Sequence, residues 1–268
     1  MPLQDMTPLI LSADDFGMDA GIDAAVADLA LRGRLTATSC LTLSPRWQQA
    51  ANCLTREVRE RIDVGLHLDF TEFDPVMPWS TLVVASCARL LRASEVSRRI
   101  ARQLDAFEAA IGTPPDYVDG HRHIHQLPQI RSALLRELDA RYGRSRPWIR
   151  LSRPAPGSGF KGSVIHLLGG RGLQREAEQA GFRCSRRLLG VYGFDLKTAD
   201  YAVAVKGWLA QARRFDALMV HVARDAPSTD PLGPARVAEY AALGDDAFAR
   251  ALQEAGVRLA RGSEVFAG

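Results

Sequence analysis

The chain has 268 residues, enough for one large domain, and its hydrophobic (47%) and charged (24%) fractions are those of a globular protein with a core of normal size. The net charge of +3 comes from arginines scattered among acids and alanines, with lysine only at Lys161, Lys197 and Lys206, so the composition gives no nucleic-acid footprint. No stretch approaches the roughly 18 apolar residues of a membrane span, and no membrane partner is expected.

The N-terminus, "MPLQDMTPLILSADDFG", has neither a basic leader region nor a cleavage-like site, so no secretory signal is expected. The cysteines Cys40, Cys53, Cys87 and Cys184 lie far apart with no CxxC, which predicts buried thiols of a cytoplasmic protein rather than a disulfide frame or zinc site.

In chain order, "PLILSA" (8–13) reads as a first strand, and the apolar spacing of 21–33 reads as a helix stopped by Gly33. The β-branched run 35–43 predicts a second strand, 45–60 a helix and 62–70 a third strand. Two prolines and Trp79 mark 71–83 as a loop. A long amphipathic helix is expected over 94–112, a short strand over 116–121, and a helix over 127–143 with proline in its first turn. A strand at 148–152, a loop at 153–163 and a strongly apolar strand at 217–223 follow. Strand–helix alternation without repeat or linker predicts a single α/β domain, 1–268, with a mostly parallel sheet and outer helices.

Polar residues fall on this map in a pattern. Asp14 and Asp15 follow the first strand, His67 lies near the end of the third, His121 follows "DYVD", and His221 lies near the end of the late strand. In parallel α/β folds the C-terminal strand ends carry the active site. Two adjacent carboxylates at such an end are costly without a cation or proton, though either aspartate also suits a helix N-cap. One can bind a metal while the other faces substrate as a base. His67, alone among apolar residues, suits a core position as well as a ligand.

The run "DGHRHIH" holds three of the six histidines, His121, His123 and His125. Extended or helical, it clusters imidazoles, which ligate first-row metals; at least one is expected on a metal and the others beside a polar substrate. Asp119 is placed to orient a neighbouring ligand as an acceptor. His221 suits either a proton donor or a structural residue, and His166 reads as packing or surface. G-x-S-x-G, P-loop, G-x-G-x-x-G and HExxH motifs are absent, which argues against serine hydrolase, kinase, Rossmann dehydrogenase and zincin chemistry.

With "LSADDFG", "VGLHLDF", "DGHRHIHQLPQI", "LLGVYGF" and "LMVHVARD…DPLGPARVAEYAAL" together, the sequence resembles the YdjC-like carbohydrate deacetylase family. That family includes the chitooligosaccharide deacetylases and is distantly related to the NodB-type polysaccharide deacetylases. The resemblance runs from about Leu9 to Leu243. It implies a distorted, TIM-barrel-like (β/α) barrel and one divalent metal held by Asp15, His67 and His121. It further implies Asp14 as catalytic base, His221 as general acid, His125 near substrate and a homodimer. Where the family carries proline after the late histidine, this chain has Val222.

The activity implied is removal of N-acetyl groups from amino-sugar or chitooligosaccharide-like substrates. Zinc or magnesium leads for the metal, with cobalt, nickel and manganese also suited to two imidazoles and a carboxylate. Trp79 is a candidate to stack on a sugar ring. Two alternatives accommodate the same residues: another metal-dependent barrel hydrolase or isomerase acting on sugars, and a non-catalytic carbohydrate-binding protein.

Overall fold

The computed structural model describes residues 5–73, 76–155 and 169–267. His166 and most of the 153–163 loop expectation lie outside the described residues.

The strands are β1 (Thr7–Phe16), β2 (Ala37–Cys40), β3 (Asp63–Leu68), β4 (Tyr117–Gly120), β5 (Trp148–Ile149), β6 (Leu188–Leu189), β7 (Ala217–Val220) and β8 (Val257–Leu259). They pair in the order β5-β4-β3-β2-β1-β7-β6, with β8 on the first part of β1, and every pairing is parallel. Isolated bridges Ile149↔Cys184 and Pro154↔Leu188 join the two outer edges. The sheet therefore curls into a barrel-like α/β fold, distorted where β5 and β6 are only two residues long.

Helices cover the outside: α1 (Ala20–Leu31), α2 (Trp47–Ala51), α3 (Arg56–Arg61), α4 (Trp79–Cys87), α5 (Ala93–Ile111), α6 (Pro128–Tyr142), α7 (Arg171–Gln179), α8 (Thr198–Ala210), α9 (Gly233–Gly244), α10 (Asp246–Glu254) and α11 (Gly262–Val265). Among the described residues, none is long and apolar enough to cross a membrane. In α5, Val96, Ile100, Leu104, Phe107 and Ile111 recur at helical spacing and are buried, and Gly112 ends the helix at φ +81°.

Three expectations need correction. The helix expected over 45–60 is two short ones, because Thr55 caps α3 by accepting from Val58 N. The expected loop 71–83 becomes helical at Trp79, where Pro78 ends the extended approach and the run "WSTLVVASC" has no further breaker. The four cysteines are free as expected, but they are not all buried. Cys87, at the end of α4, is exposed, and Cys53 and Cys184 are half-buried.

Strand alternation organises the barrel interior into layers. Ile10, Ala37, Trp148, Leu188 and Ala217 fill the lower interior, in a cluster separate from the one packed between sheet and helices. Above them Ser12 meets the Tyr117 hydroxyl at 2.8 Å, and Tyr117 stacks on Trp148 with centroids 4.5 Å apart. Gly65 has no Cβ because one would stand 2.5 Å from the Tyr117 ring. Two residues beyond Ser12, Ala37, Gly65, Tyr117, Trp148 and Met219 lie Asp14, Ser39, His67, Asp119, Arg150 and His221. Period two thus carries the apolar floor up to a polar mouth at the C-terminal strand ends.

Candidate active site

The two carboxylates of "SADDFG" arise from a local irregularity. The β1–β2 register shifts between Ala13 and Phe16, and Asp15 takes φ +67°. A bulge of this kind re-aims side chains at a strand end. Both carboxylates consequently face the cavity, and the helix cap is supplied by Asp19, which accepts from Gly21 N.

Asp15 Oδ1 lies 3.4 Å from His67 Nε2 and 3.1 Å from His121 Nδ1. All three residues are buried, and one ligand atom from each falls within 4.8 Å of the others. The other carboxylate oxygen, Oδ2, accepts from Arg236 Nη2 at 2.7 Å. His67 is oriented from behind: Asp119, its register partner on β4, holds Nδ1 at 2.5 Å, with Ser39 Oγ at 3.0 Å. That leaves Nε2 directed toward Asp15, as expected of an imidazole whose other nitrogen is held by a carboxylate.

Asp14 is gripped by Arg150, with Nη1–Oδ1 and Nη2–Oδ2 both 2.6 Å. The same guanidinium stands 2.8 Å from Asp119 Oδ2 and donates to Ser12 Oγ at 3.0 Å. Burial acts to raise the Asp14 carboxyl, but Arg150, with His67 and His221, outweighs it and holds Asp14 below the usual range. Burial likewise opposes ionisation of Asp15, and Arg236, His121 and His67 together bring it well below the usual range. For His67, burial favours the neutral ring, yet Asp119 and its neighbours push the pKa up to about 10.

His221 follows β7, and its ring stands edge-on to Phe194 at 4.9 Å. Its backbone N–H donates to Glu239 Oε2 at 2.7 Å; the same carboxylate accepts from Tyr192 at 2.6 Å and Tyr201 at 3.1 Å. Burial, against the pull of Asp15 and Asp14, brings the His221 pKa down to about 4. At neutral pH the ring is uncharged. Val222, behind it, is fully buried.

Asp14, Asp15, His67, His121, His221 and Arg236 line a cavity of about 390 Å³, with Met18, Glu72, His123, Tyr192, Phe194 and Leu232 among its other walls. Two expected members are elsewhere. His125 is fully buried beneath the site, its ring packed against Gly120 and its Nε2 3.0 Å from the Arg150 carbonyl. Trp79 packs on the core from the start of α4 and does not line the cavity. His123 takes the place expected of His125. Left-handed backbone at Arg122 (φ +51°) and His123 (φ +60°) turns it into the cavity, where Ser152 Oγ meets Nδ1 at 2.9 Å.

The sequence reading missed Arg150, Arg236 and Glu239. An arginine inside the apolar strand run "WIRLS" was a usable signal. Arg236 and Glu239 sit in an ordinary-looking helix and gave none.

The donor set fits a divalent cation. Three buried carboxylates, Asp14, Asp15 and Asp119, face two buried guanidinium groups, Arg150 and Arg236, and Asp230 takes part of the latter's charge. With both imidazoles neutral, as ligands must be, the surplus is negative, and an oxygen with two imidazoles is an ordinary first-row metal set.

Comparisons agree with this fold. Residues 8–254 match the family described as YdjC-like protein. The chain is similar to a chitooligosaccharide deacetylase of Yersinia enterocolitica, at 29% identity over 133 residues, covering 46% of this chain and 52% of that one. It thus spans about half the length of the curated relatives it matches. Among solved structures, an Enterococcus faecalis protein for which cellobiose-phosphate cleavage has been suggested superposes with TM-score 0.69 at 20% identity, over 97% of this chain and 98% of that one. The Bc1960 peptidoglycan N-acetylglucosamine deacetylase shares the fold at TM-score 0.56 and 11% identity, over 97% and 88%.

Proposed function

The chain belongs to the YdjC-like protein family, and from that premise we propose that it is a metal-dependent carbohydrate N-deacetylase, releasing acetate from a small N-acetylated amino sugar. One observation carries the reading. Asp15, His67 and His121 converge in the lining of a cavity that Asp14 and His221 also line. The name of the Yersinia relative supports the substrate class.

Asp15, His67 and His121 would hold the metal, which when bound polarises an amide carbonyl and lowers the pKa of water toward about 7. Asp14, ionised at neutral pH, takes the proton of the attacking water as general base. Arg150 keeps that carboxylate fixed and prevents it from rotating away. The proton that Asp14 takes from water is the one the departing nitrogen needs, and His221, neutral at rest and lining the same cavity, is the group that relays it there. Asp119 fixes the tautomer of His67, and Arg236 fixes Asp15. The cavity's size suits one or two sugar rings, with Tyr192 and Phe194 as apolar walls.

The test is acetate release from N-acetylated mono- and disaccharides, with protein stripped by chelator and reloaded with zinc, magnesium, cobalt, nickel or manganese in turn. Release restored by a metal, and lost in His121→Ala, supports the reading. Binding of the sugar without release, whichever metal is supplied, overturns it in favour of a non-catalytic binder.

A further inference from the structure

The fold treats the two imidazoles of the candidate metal set differently. His67 has both ring nitrogens engaged: Nδ1 by Asp119 and Ser39, Nε2 toward Asp15. His121 directs Nδ1 to Asp15, and its buried Nε2 has no hydrogen-bond partner. An imidazole that ligates through one nitrogen carries a proton on the other, and that N–H ordinarily has an acceptor.

The carboxylate facing it is Glu72, whose Oε2 stands 3.7 Å from His121 Nε2. The side chain is 38% exposed at the cavity rim, so it is free to close a gap of that size. Its backbone is not free. Asp69, directly after β3, accepts through Oδ1 from Thr71 N at 2.8 Å and Glu72 N at 3.0 Å, and through Oδ2 from Phe73 N at 2.8 Å. Gln103 locks Asp69 in turn, accepting from its N–H at 2.8 Å and donating to its carbonyl at 2.9 Å. A buried aspartate and a buried glutamine thus fold residues 69–73 into a turn that sets Glu72 over His121. A rim carboxylate of no consequence would not need that support.

We propose that Glu72 is a positioning residue for His121, accepting the Nε2–H of that ring as Asp119 accepts the Nδ1–H of His67. The inference rests on the metal-site reading above. It makes the two imidazoles equivalent: each is backed by a carboxylate, one from β4 and one from the turn after β3.

Zinc alone, titrated against a chromophoric chelator into the metal-stripped full chain, tests it. Glu72→Ala is expected to weaken zinc binding about 10–100-fold, and Glu72→Gln, whose amide oxygen still accepts, to recover part of the loss. Nitrogen-15 imidazole spectra of the zinc-loaded unaltered chain should show His121 protonated at Nε2, with that signal displaced in Glu72→Ala. A purely structural role for Glu72 would move neither. Equal zinc affinity in Glu72→Ala, or a His121 proton on Nδ1, overturns the inference while leaving the metal site standing. Failure of the unaltered chain to bind zinc overturns the metal-site reading, and this inference with it.

Discussion

Arg150 holds both oxygens of Asp14, at 2.6 Å each, and with the same guanidinium reaches Asp119 at 2.8 Å. The proposed base and the carboxylate that orients His67 are thereby joined through one cation. Asp14, Arg150, Asp119 and His67 form a continuous buried chain, and a change at its centre reaches both ends.

Arg150→Ala should therefore destabilise the fold by about 3–5 kcal/mol, because two buried carboxylates lose their cation. It should also move the acid limb of the pH–rate profile upward. With Arg150 present, Asp14 is held below its unfolded value of 3.8, so its stabilising contribution is complete above that value and is lost as pH falls through the folded pKa. Without Arg150, burial is opposed only by His67 and His221, and the carboxyl rises. Thermal melts and a pH–rate profile read the two effects separately; an unmoved acid limb would dissociate Asp14 from the base role.

Asp14→Asn and Asp15→Asn should differ in kind. The first is expected to lose about 10²–10⁴-fold in turnover while retaining metal. The second should lose metal affinity as well, since Oδ1 is the atom both imidazoles approach. Metal content measured beside acetate release separates them, and near-normal turnover in Asp14→Asn would refute its assignment.

Glu239, which accepts from the His221 N–H, offers a pH test through stability. Its carboxyl is fully buried and its pKa is raised from 4.5 to about 7 by desolvation, against hydrogen bonds from Tyr192, His221 and Tyr201. The folded state therefore keeps a proton that the unfolded state releases. Stability should fall as pH rises from about 4.5 through about 7, by on the order of 3 kcal/mol, and then level off. Glu239→Gln should flatten that slope in melts between pH 5 and pH 8. Glu239→Ala should destabilise at every pH, because the His221 N–H and two tyrosine hydroxyls lose their acceptor.

Gly65→Ala tests the layered interior. The added Cβ would stand 2.5 Å from the Tyr117 ring, which Trp148 backs at 4.5 Å. Overpacking of this kind costs about 1–3 kcal/mol, read as a lower melting temperature.

The strand-end positions of Asp14, Asp15, His67, His121 and His221 were legible because each follows a run whose β character is local. The parallel α/β fold was legible for the same reason. Which histidine of "DGHRHIH" reaches the cavity was not. Two successive left-handed residues, Arg122 and His123, put His123 in the cavity and His125 under Gly120, and no periodicity signals such a turn in non-glycine residues. Strands β6 and β8, of two and three residues, are too short to show alternation, so their existence depends on the neighbours they pair with. Arg150 resembled the many other arginines until Asp14 and Asp119 were seen on either side of it.

The joint between β5 and β6 has a dynamic consequence. Elsewhere the barrel wall is laddered, but there, among the described residues, it is joined by the single bridges Ile149↔Cys184 and Pro154↔Leu188. Arg150 is the next residue after the first of them. Local opening of a protein starts where backbone hydrogen bonds are fewest. Breathing at this seam would bring solvent to the guanidinium between Asp14 and Asp119 while leaving β1 to β3 closed, since the Arg150 N–H, donated to Val118 O, keeps that residue on β4. The amides of Ser185 and Leu188, bonded to Ile149 and Arg153, should accordingly exchange with solvent before those of β1. Solvent access to the cation that holds the proposed base is then set by the mechanical compliance of one seam in the wall.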